Sequence, residues 1–230
     1  MKSISRLRQS TCGFPIREKI EHIPKSEIRG SYGLNSSAKA LVIVGGSQGA
    51  KVLNDWVMKY EKLLMDDGIS IYCVTGPNKK EAGFRNQKRV NASGVPVECR
   101  YFEFHHQIGE LYSLADLTIA RAGAGTIAEL IECLCPSILI PYPYAADNHQ
   151  AANASFMEVK GTALNLDQGR MDSLYREVSD LIFNSWMLGK MRDNLRKLNE
   201  EDGAVQLTTK INEILAMQAI DQQASATGNI

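Results

Sequence analysis

The stretch LVIVGGSQGA, residues 41–50, decides the fold class of this chain. Its run of apolar, mostly β-branched residues predicts a buried strand, and the glycines after it predict a sharp turn into a helix. Such a turn offers unpaired backbone N–H groups and the positive end of a helix dipole, which together suit a phosphate. An ordinary tight turn also favours glycine, but three glycines and a serine within residues 45–50 favour an anion site.

The glycine spacing argues against two common phosphate sites. A dinucleotide fingerprint has G-x-G-x-x-G and an acidic residue about 20 positions further on. Here the first two glycines are adjacent, and the next predicted strand, residues 69–74, ends in Thr75-Gly76-Pro77 without a carboxylate to hold a ribose. A P-loop needs a lysine directly after its last glycine, and Gly49 is followed by Ala50. The spacing therefore disfavours NAD and ATP.

Composition limits the class of protein and its partners. The 230 residues are 44% hydrophobic and 23% charged, which suffices for one large domain or two small ones. The formal net charge of +0 gives no basic field, so we expect no nucleic-acid partner. No stretch is apolar enough to span a membrane or serve as a signal peptide, which predicts a cytoplasmic protein.

The cysteines fit that compartment. Their number is odd and no two form a C-x-x-C pair, which favours reduced thiols over a disulfide framework. Cys133 and Cys135 lie in an apolar run and are expected to pack rather than to bind metal. The five are Cys12, Cys73, Cys99, Cys133 and Cys135.

Strand and helix patterns alternate from residue 40 onward. This alternation predicts an α/β fold with a doubly wound parallel, Rossmann-like sheet. The predicted domain covers residues 39–220, after an irregular entry or linker segment at 1–38 and before a disordered tail at 221–230. The polar segment at 78–89 is predicted to be a surface helix or loop.

Three turns of this predicted sheet carry polar or glycine-rich sequence. They follow predicted strands at residues 45–49, 121–125 and 141–150. Ligands of doubly wound sheets bind beyond the carboxyl ends of the strands, so we expect these turns to share one rim.

The second turn, Arg121–Gly125, has two interpretations. Thr126 and Glu129 fit a T-x-x-E capping box, which explains both residues without a ligand. The small residues before them would also open a second helix N-terminus to a diphosphate or a sugar, and a carboxylate there could accept the paired hydroxyls of a ribose.

The third turn gathers amides, an imidazole and a carboxylate in residues 146–150. Helix capping by Asp147 or Asn148 explains one or two of these residues. It does not explain the whole succession with Asn153, and neutral groups that both donate and accept suit the hydroxyls of a sugar. The adjacent His105 and His106 do not face one way on a helix, so a shared metal is not expected. No constellation for self-contained catalysis is evident.

These motifs resemble the carboxyl-terminal half of the MurG family, the peptidoglycan N-acetylglucosaminyltransferases of bacteria. The resemblance rests on Gly45–Ala50, Arg121–Thr126 with Glu129, and Pro141–Gln150, while Cys12–Arg17 resembles the linker between the family's two domains. It implies one half of a GT-B glycosyltransferase, without a metal or other cofactor. It also implies transfer of N-acetylglucosamine from UDP-N-acetylglucosamine to lipid I, which gives lipid II.

The resemblance also implies roles for single residues. Arg17 and Ser47 would contact the diphosphate or uridine, a backbone group at His105 would read the uracil, and Thr126 would contact phosphate. Glu129 would bind the ribose hydroxyls, and Gln150 with His149 the sugar. The full set of expected donor-binding residues is Arg17, Gly46, Ser47, Gln48, Gly49, His105, Ala124, Gly125, Thr126, Glu129, Asn148, His149 and Gln150. No catalytic residue is assigned.

The chain departs from the family in one large respect. Only 40 residues precede Leu41, and they hold nothing like the family's amino-terminal G-G-T-G-G-H loop. We therefore expect a donor half whose acceptor domain comes from a separate chain or domain, as in the eukaryotic dolichol-linked N-acetylglucosamine transferase. Its lipid-linked acceptor would lie at the inner face of the cell membrane, where the protein would be peripheral. The alternatives are an inactive remnant or a regulatory nucleotide-sugar-binding module, and a nicotinamide oxidoreductase, which the glycine spacing disfavours.

Overall fold

The structure is a computed structural model that describes residues 20–35, 37–46, 48–77, 84–199, 208–213 and 215. Within these ranges the chain forms one sheet whose strands alternate with helices. The strands are β1 Lys39–Val44, β2 Ile69–Val74, β3 Gln87–Val90, β4 Pro96–Phe102, β5 Leu117–Ala120, β6 Ser137–Leu139 and β7 Ala163–Asn165. The helices are α1 Lys25–Ser31, α2 Lys51–Asp66, α3 Ile108–Leu114, α4 Ala124–Glu132, α5 His149–Val159, α6 Leu174–Ile182 and α7 Ser185–Asn199. Short 3-10 helices span Ala146–Asn148 and Gln168–Ser173.

The sheet has the order β3-β4-β2-β1-β5-β6-β7, and only the β3–β4 pair is antiparallel. This confirms the predicted doubly wound parallel sheet. The strands end nearly level, because Val44 of β1 pairs with Val74 of β2 and with Ala120 of β5, which in turn pairs with Leu139 of β6. The turns after these strands therefore start from a common edge.

The core lies on both sides of the central strands. Every residue of β2 and β5 is buried, and so are five of the six residues of β1. Successive strand residues point to opposite faces, so consecutive burial means that both faces are covered, as the continuous apolar runs predict. Cys73, Cys99, Cys133 and Cys135 are free and buried, which confirms that Cys133 and Cys135 are packing residues. Cys12 lies outside the described residues.

The prediction that residues 1–38 are irregular is wrong for Lys25–Ser31, which form α1. The carboxylate of Asp116, at the start of β5, accepts from Lys25 Nζ at 2.7 Å, from the guanidinium of Arg29, and from Ala40 N at 2.9 Å. Burial alone would raise the pKa of Asp116, but the charges of Lys25 and Arg29 hold it below its ordinary value. Contacts from far along the chain thus hold a helix that is too short to be stable alone.

The polar segment at 78–89 is not entirely helix or loop either. Gln87–Val90 is an edge strand, antiparallel to β4, and most of its side chains are exposed. An edge strand with solvent on its sides needs no apolar alternation, so the pattern did not reveal it.

No helix in the described ranges is both long and apolar enough to cross a membrane. The domain bounds at 39–220 stay a prediction, and the tail at 221–230 lies outside the described residues.

Candidate functional site

The first turn joins β1 to α2 through residues 45–50. Gly46 and Gly49 have positive φ angles of 83° and 69°, and Gly49 N donates to Gly46 O at 3.0 Å. A Cβ on Gly45 would lie 2.2 Å from Ala50 N. The fold therefore requires glycine at these positions, because only glycine adopts such angles and permits such approaches without strain.

The same turn packs directly on the end of β2. A Cβ on Gly49 would lie 2.0 Å from Thr75 O, and one on Gly76 would lie 2.5 Å from Gly49 Cα. The buried side chain of Asn54, on α2, donates to Thr75 O at 3.0 Å. The backbone of the first turn thus packs on the backbone that follows β2, and the side-chain amide of Asn54 holds the two together. Sequence reasoning missed the roles of Asn54 and Gly76, although a glycine two residues after the end of a buried strand was a usable signal.

The second turn joins β5 to α4. The helix begins at Ala124, and its N-cap residue, Gly123, makes no side-chain cap. The capping box predicted from Thr126 and Glu129 is therefore wrong: Thr126 is the third residue of the helix rather than its cap. Neither Gly123 nor Gly125 has positive φ, and a Cβ on either would meet no described atom within 4 Å.

Arg121 anchors this second turn. Its Nη1 donates to Ile140 O at 3.0 Å and to Pro141 O at 3.2 Å, and its Nη2 donates to Gln168 Oε1 at 2.7 Å. Its guanidinium also lies over the ring of Tyr142, 5.4 Å from the centroid. Burial lowers the pKa of Arg121. This arginine fixes the second turn to the third, a role that the sequence did not predict.

The third turn contains two non-glycine residues with positive φ, Asp147 at 49° and Asn148 at 55°. Asn148 is the N-cap residue of α5 but makes no side-chain cap, so the predicted capping by Asp147 or Asn148 is not present. The ring Nδ1 of His149 lies 2.6 Å from Ala146 O, and Gln150 Oε1 accepts from Tyr142 N at 3.0 Å.

The three turns line one open cavity of about 860 Å³ at the carboxyl ends of the strands. This confirms that they share a rim. Of the expected donor-binding residues, the lining includes Gly46, Gln48, Gly49, His105, Gly125, Thr126, Glu129 and Gln150. Ala124, Asn148 and His149 are close in sequence but do not line it, and Arg17 and Ser47 lie outside the described residues. Lining residues that sequence reasoning did not select include Lys51, Gly76, Glu103, Phe104, Ile108, Tyr112, Arg121, Tyr142 and Gln168.

His105 belongs to a fixed polar network on one wall of the cavity. Tyr32 Oη donates to Glu110 Oε2 at 2.9 Å and lies 3.1 Å from His105 Nε2. Because the tyrosine proton goes to the carboxylate, its oxygen can accept from Nε2–H of the imidazole. Burial lowers the pKa of His105, which favours the neutral ring. The network ties the segment after β4 to the loop that follows α1.

On a second wall of the cavity, Tyr112 of α3 lies near Glu129 of α4. Tyr112 is 1% exposed, and its hydroxyl has no hydrogen-bond partner of acceptable geometry in the described part of the chain. Burial and then the negative charge of Glu129 raise the pKa of Tyr112 well above its ordinary value. Glu129 is half-buried and lines the cavity. Within the described ranges, no group of three or more His, Cys, Asp or Glu side chains could hold a metal ion.

Sheet, flanking helices and rim cavity define the Rossmann-like half of a GT-B glycosyltransferase. The structure is similar to that of Acinetobacter baumannii MurG, with a TM-score of 0.62 and 27% identity, covering 80% of this chain and 53% of that one. It shares its fold with the calicheamicin glycosyltransferase CalG4, at a TM-score of 0.60 and 14% identity over 79% of this chain and 43% of that one.

The chain belongs to glycosyltransferase family 28, because residues 40–207 match the C-terminal domain of that family. It is 42% identical over 205 residues to an Opitutus terrae protein named UDP-N-acetylglucosamine–N-acetylmuramyl-(pentapeptide) pyrophosphoryl-undecaprenol N-acetylglucosamine transferase. That match covers 89% of this chain and 53% of the relative. An Aquifex aeolicus protein of the same name is 32% identical over 192 residues, 82% of this chain and 52% of that protein. The chain thus spans about half the length of these curated relatives, and the resemblance to the MurG family is confirmed.

Proposed function

We propose that this chain is the UDP-N-acetylglucosamine-binding half of an N-acetylglucosaminyltransferase of peptidoglycan synthesis. The whole enzyme would transfer the sugar to the undecaprenyl-diphosphate-linked muramoyl-pentapeptide and so convert lipid I into lipid II. The observation that carries the proposal is the single cavity into which both glycine turns and the third turn open. The names of the relatives support the choice of donor and acceptor.

The geometry suits a nucleotide diphosphate. Helices α2 and α4 both begin at the cavity, and their first N–H groups and dipoles favour negative charge there. As the acceptor hydroxyl passes its proton to a base and attacks the anomeric carbon, the bond to the diphosphate breaks, UDP leaves, and charge develops on the leaving oxygen. Fixed amides stabilise such developing charge without needing to reorganise.

The remaining roles are part of the proposal. Thr126 would contact phosphate, Glu129 the ribose hydroxyls and Gln150 the sugar, while the backbone at His105 would read the base. Arg17 and Ser47 are proposed for the diphosphate or uridine on the resemblance alone. His149 and Asn148 would need to act from outside the lining, and no residue is proposed as the catalytic base.

The acceptor side is also a proposal. An acceptor-binding domain, in the same protein or in a separate chain, would close over the cavity and bring the lipid-linked acceptor. That acceptor would lie at the cytoplasmic face of the membrane, so the working enzyme would be peripheral there.

Calorimetric titration with UDP-N-acetylglucosamine tests donor binding. We expect saturable binding and competition by UDP, and about tenfold weaker binding for Glu129→Gln, since one hydrogen bond to a charged group contributes about 1.5–3 kcal/mol. Glu132→Gln is the matched control, because it lies on the same helix but does not line the cavity. No saturable heat at millimolar ligand would reject the proposal.

Transfer is tested by mixing the chain with a separately expressed acceptor domain of a relative and a lipid I analogue. We expect labelled N-acetylglucosamine to appear on the analogue only when both proteins are present. Binding without transfer, in a mixture whose acceptor domain is active with its own donor half, would instead support the nucleotide-sugar-binding module.

A further inference from the structure

Tyr112 is a polar group that packing alone does not explain. Its ring lies among the largest fully buried side chains and borders the cavity, yet its hydroxyl makes no hydrogen bond of good geometry in the described ranges, and the acceptor that it approaches is the carboxylate of Glu129. A buried hydroxyl without a well-formed hydrogen bond destabilises the fold, and phenylalanine would fill the same space without that penalty. A tyrosine here therefore indicates a use for the hydroxyl.

The surroundings of Tyr112 make it a hydrogen-bond donor. The groups that influence its titration are the carboxylate of Glu129 and the thiols of Cys133 and Cys135. Burial raises the pKa of both thiols, that of Cys135 to about 11, so they stay neutral at ordinary pH. Glu129 is thus the charged group that faces the phenol, and a phenol beside a carboxylate keeps its proton and can donate it.

Glu129 can accept a hydrogen bond from the phenol and still bind a ligand. A carboxylate has about four lone-pair positions on its two oxygens, so it can accept from a tyrosine and from two vicinal hydroxyls together. Packing between α3 and α4 brings the two side chains to the same wall, where both residues line the cavity and Tyr112 is the more deeply buried of the two.

We propose that Tyr112 is a positioning residue for the donor site: when ligand binds, its hydroxyl donates to Glu129 and fixes the carboxylate toward the ribose diol. This inference rests on the proposed function. The inference extends the proposed function, because the selectivity for a ribonucleotide over a deoxyribonucleotide then depends on Tyr112, which acts through Glu129 rather than by binding the 2′-hydroxyl itself.

Calorimetry with UDP and 2′-deoxy-UDP tests the inference. The wild-type chain should bind UDP about tenfold more tightly than 2′-deoxy-UDP, because the deoxy ligand lacks the 2′-hydroxyl and its charge-assisted hydrogen bond to Glu129. In Tyr112→Phe that preference should fall to about threefold or less, while the affinity for 2′-deoxy-UDP changes less than about twofold. Tyr72→Phe is the matched control: Tyr72 is also buried and donates to a carboxylate, Glu98 at 2.7 Å, but does not line the cavity.

A double-mutant cycle makes the test independent of general effects on folding. In a Glu129→Ala background, Tyr112→Phe should leave UDP affinity unchanged, because the acceptor of its hydrogen bond is already removed. Equal weakening of both ligands by Tyr112→Phe, or an unchanged preference for UDP, would overturn the inference and leave the proposed function intact. A wild-type chain that binds neither ligand would overturn the proposed function and the inference with it.

Discussion

The two glycine turns at the rim follow neighbouring parallel strands and open on the same cavity, but their glycines serve different needs. In the first turn, Gly49 has positive φ and presses on the backbone of Thr75. In the second, Gly123 and Gly125 have ordinary φ angles and face open space. The first turn therefore requires glycine for folding, whereas the fold alone does not account for glycine in the second.

The difference separates two meanings of a glycine motif. Where a Cβ would strike the protein's own backbone, glycine reports packing. Where a Cβ would point into an open cavity, glycine is consistent with room kept for a ligand, which is what we propose for the second turn. Substitution to alanine can tell these meanings apart, because it adds one methyl group in both places.

The largest effect is expected for Gly49→Ala. The added Cβ would lie 2.0 Å from Thr75 O at a φ of 69°, so we expect a loss of about 3 kcal/mol or more in the free energy of unfolding. Gly46→Ala shares the positive φ but has open space around its Cβ, and should cost only about 1–2 kcal/mol. Urea unfolding followed by circular dichroism measures both. Equal losses would mean that backbone packing is not what requires Gly49.

Asn54→Ala should weaken the support of the first turn. The change leaves Thr75 O without its side-chain donor in a buried place, and we expect a loss of about 2 kcal/mol in the free energy of unfolding. Asp55→Ala, the next residue on the helix and largely exposed, should change stability by less than about 0.5 kcal/mol. If the two variants unfold alike, Asn54 does not hold this turn.

Gly125→Ala should separate binding from stability. Alanine is the better helix former and meets no described atom within 4 Å, so stability should stay the same or rise by up to about 1 kcal/mol. Binding of UDP-N-acetylglucosamine should weaken about tenfold, because a methyl group then occupies ligand space. Gly30→Ala, in α1 and equally open, should leave binding unchanged. Unaltered affinity in Gly125→Ala would remove the ligand-based explanation of the second turn.

The smallest effect concerns His105, on the wall that neither turn supplies. Burial lowers its pKa in the folded state, so the unfolded chain binds the proton more readily. The stability that neutral His105 contributes is thus present above the ordinary histidine pKa of about 6.5. It is lost as pH falls below that value, because the unfolded chain then takes up the proton first. When the pH is lowered from 7.5 to 5.5, the free energy of unfolding should decrease less for His105→Gln than for wild type. His106→Gln is the control. His22, whose pKa burial also lowers, contributes in the same direction and stays constant across these variants.

The parts of the fold that could be predicted are those that depend on patterns of consecutive residues. The apolar runs that became β1, β2 and β5 show in any short window, and so do the glycines that end β1. Because carboxyl ends of parallel strands share an edge, the common rim also followed. The family motifs then identified eight of the residues that line the cavity.

The parts that failed depend on contacts between distant residues. Helix α1 forms where Asp116 binds Lys25 and Arg29, about 90 positions earlier in the chain. Asn54 lies in an amphipathic helix, and it supports the first turn only because the fold brings Thr75 O, 21 residues later in the chain, within hydrogen-bond distance. In the sequence, Tyr112 occupies an ordinary apolar position of α3, and only the packing of α4 in the folded chain places Glu129 next to it. No local pattern encodes these encounters.

The most direct test of the account is an amide ¹H–¹⁵N titration of the chain with UDP-N-acetylglucosamine. If both glycine turns hold the diphosphate, the amides of Gly46, Gly49, Gly125 and Thr126 should shift together with one saturation curve, while that of Val90, on the distant edge strand β3, stays in place. Shifts confined to one turn, shifts centred near Val90, or a spectrum unchanged at millimolar ligand would contradict it.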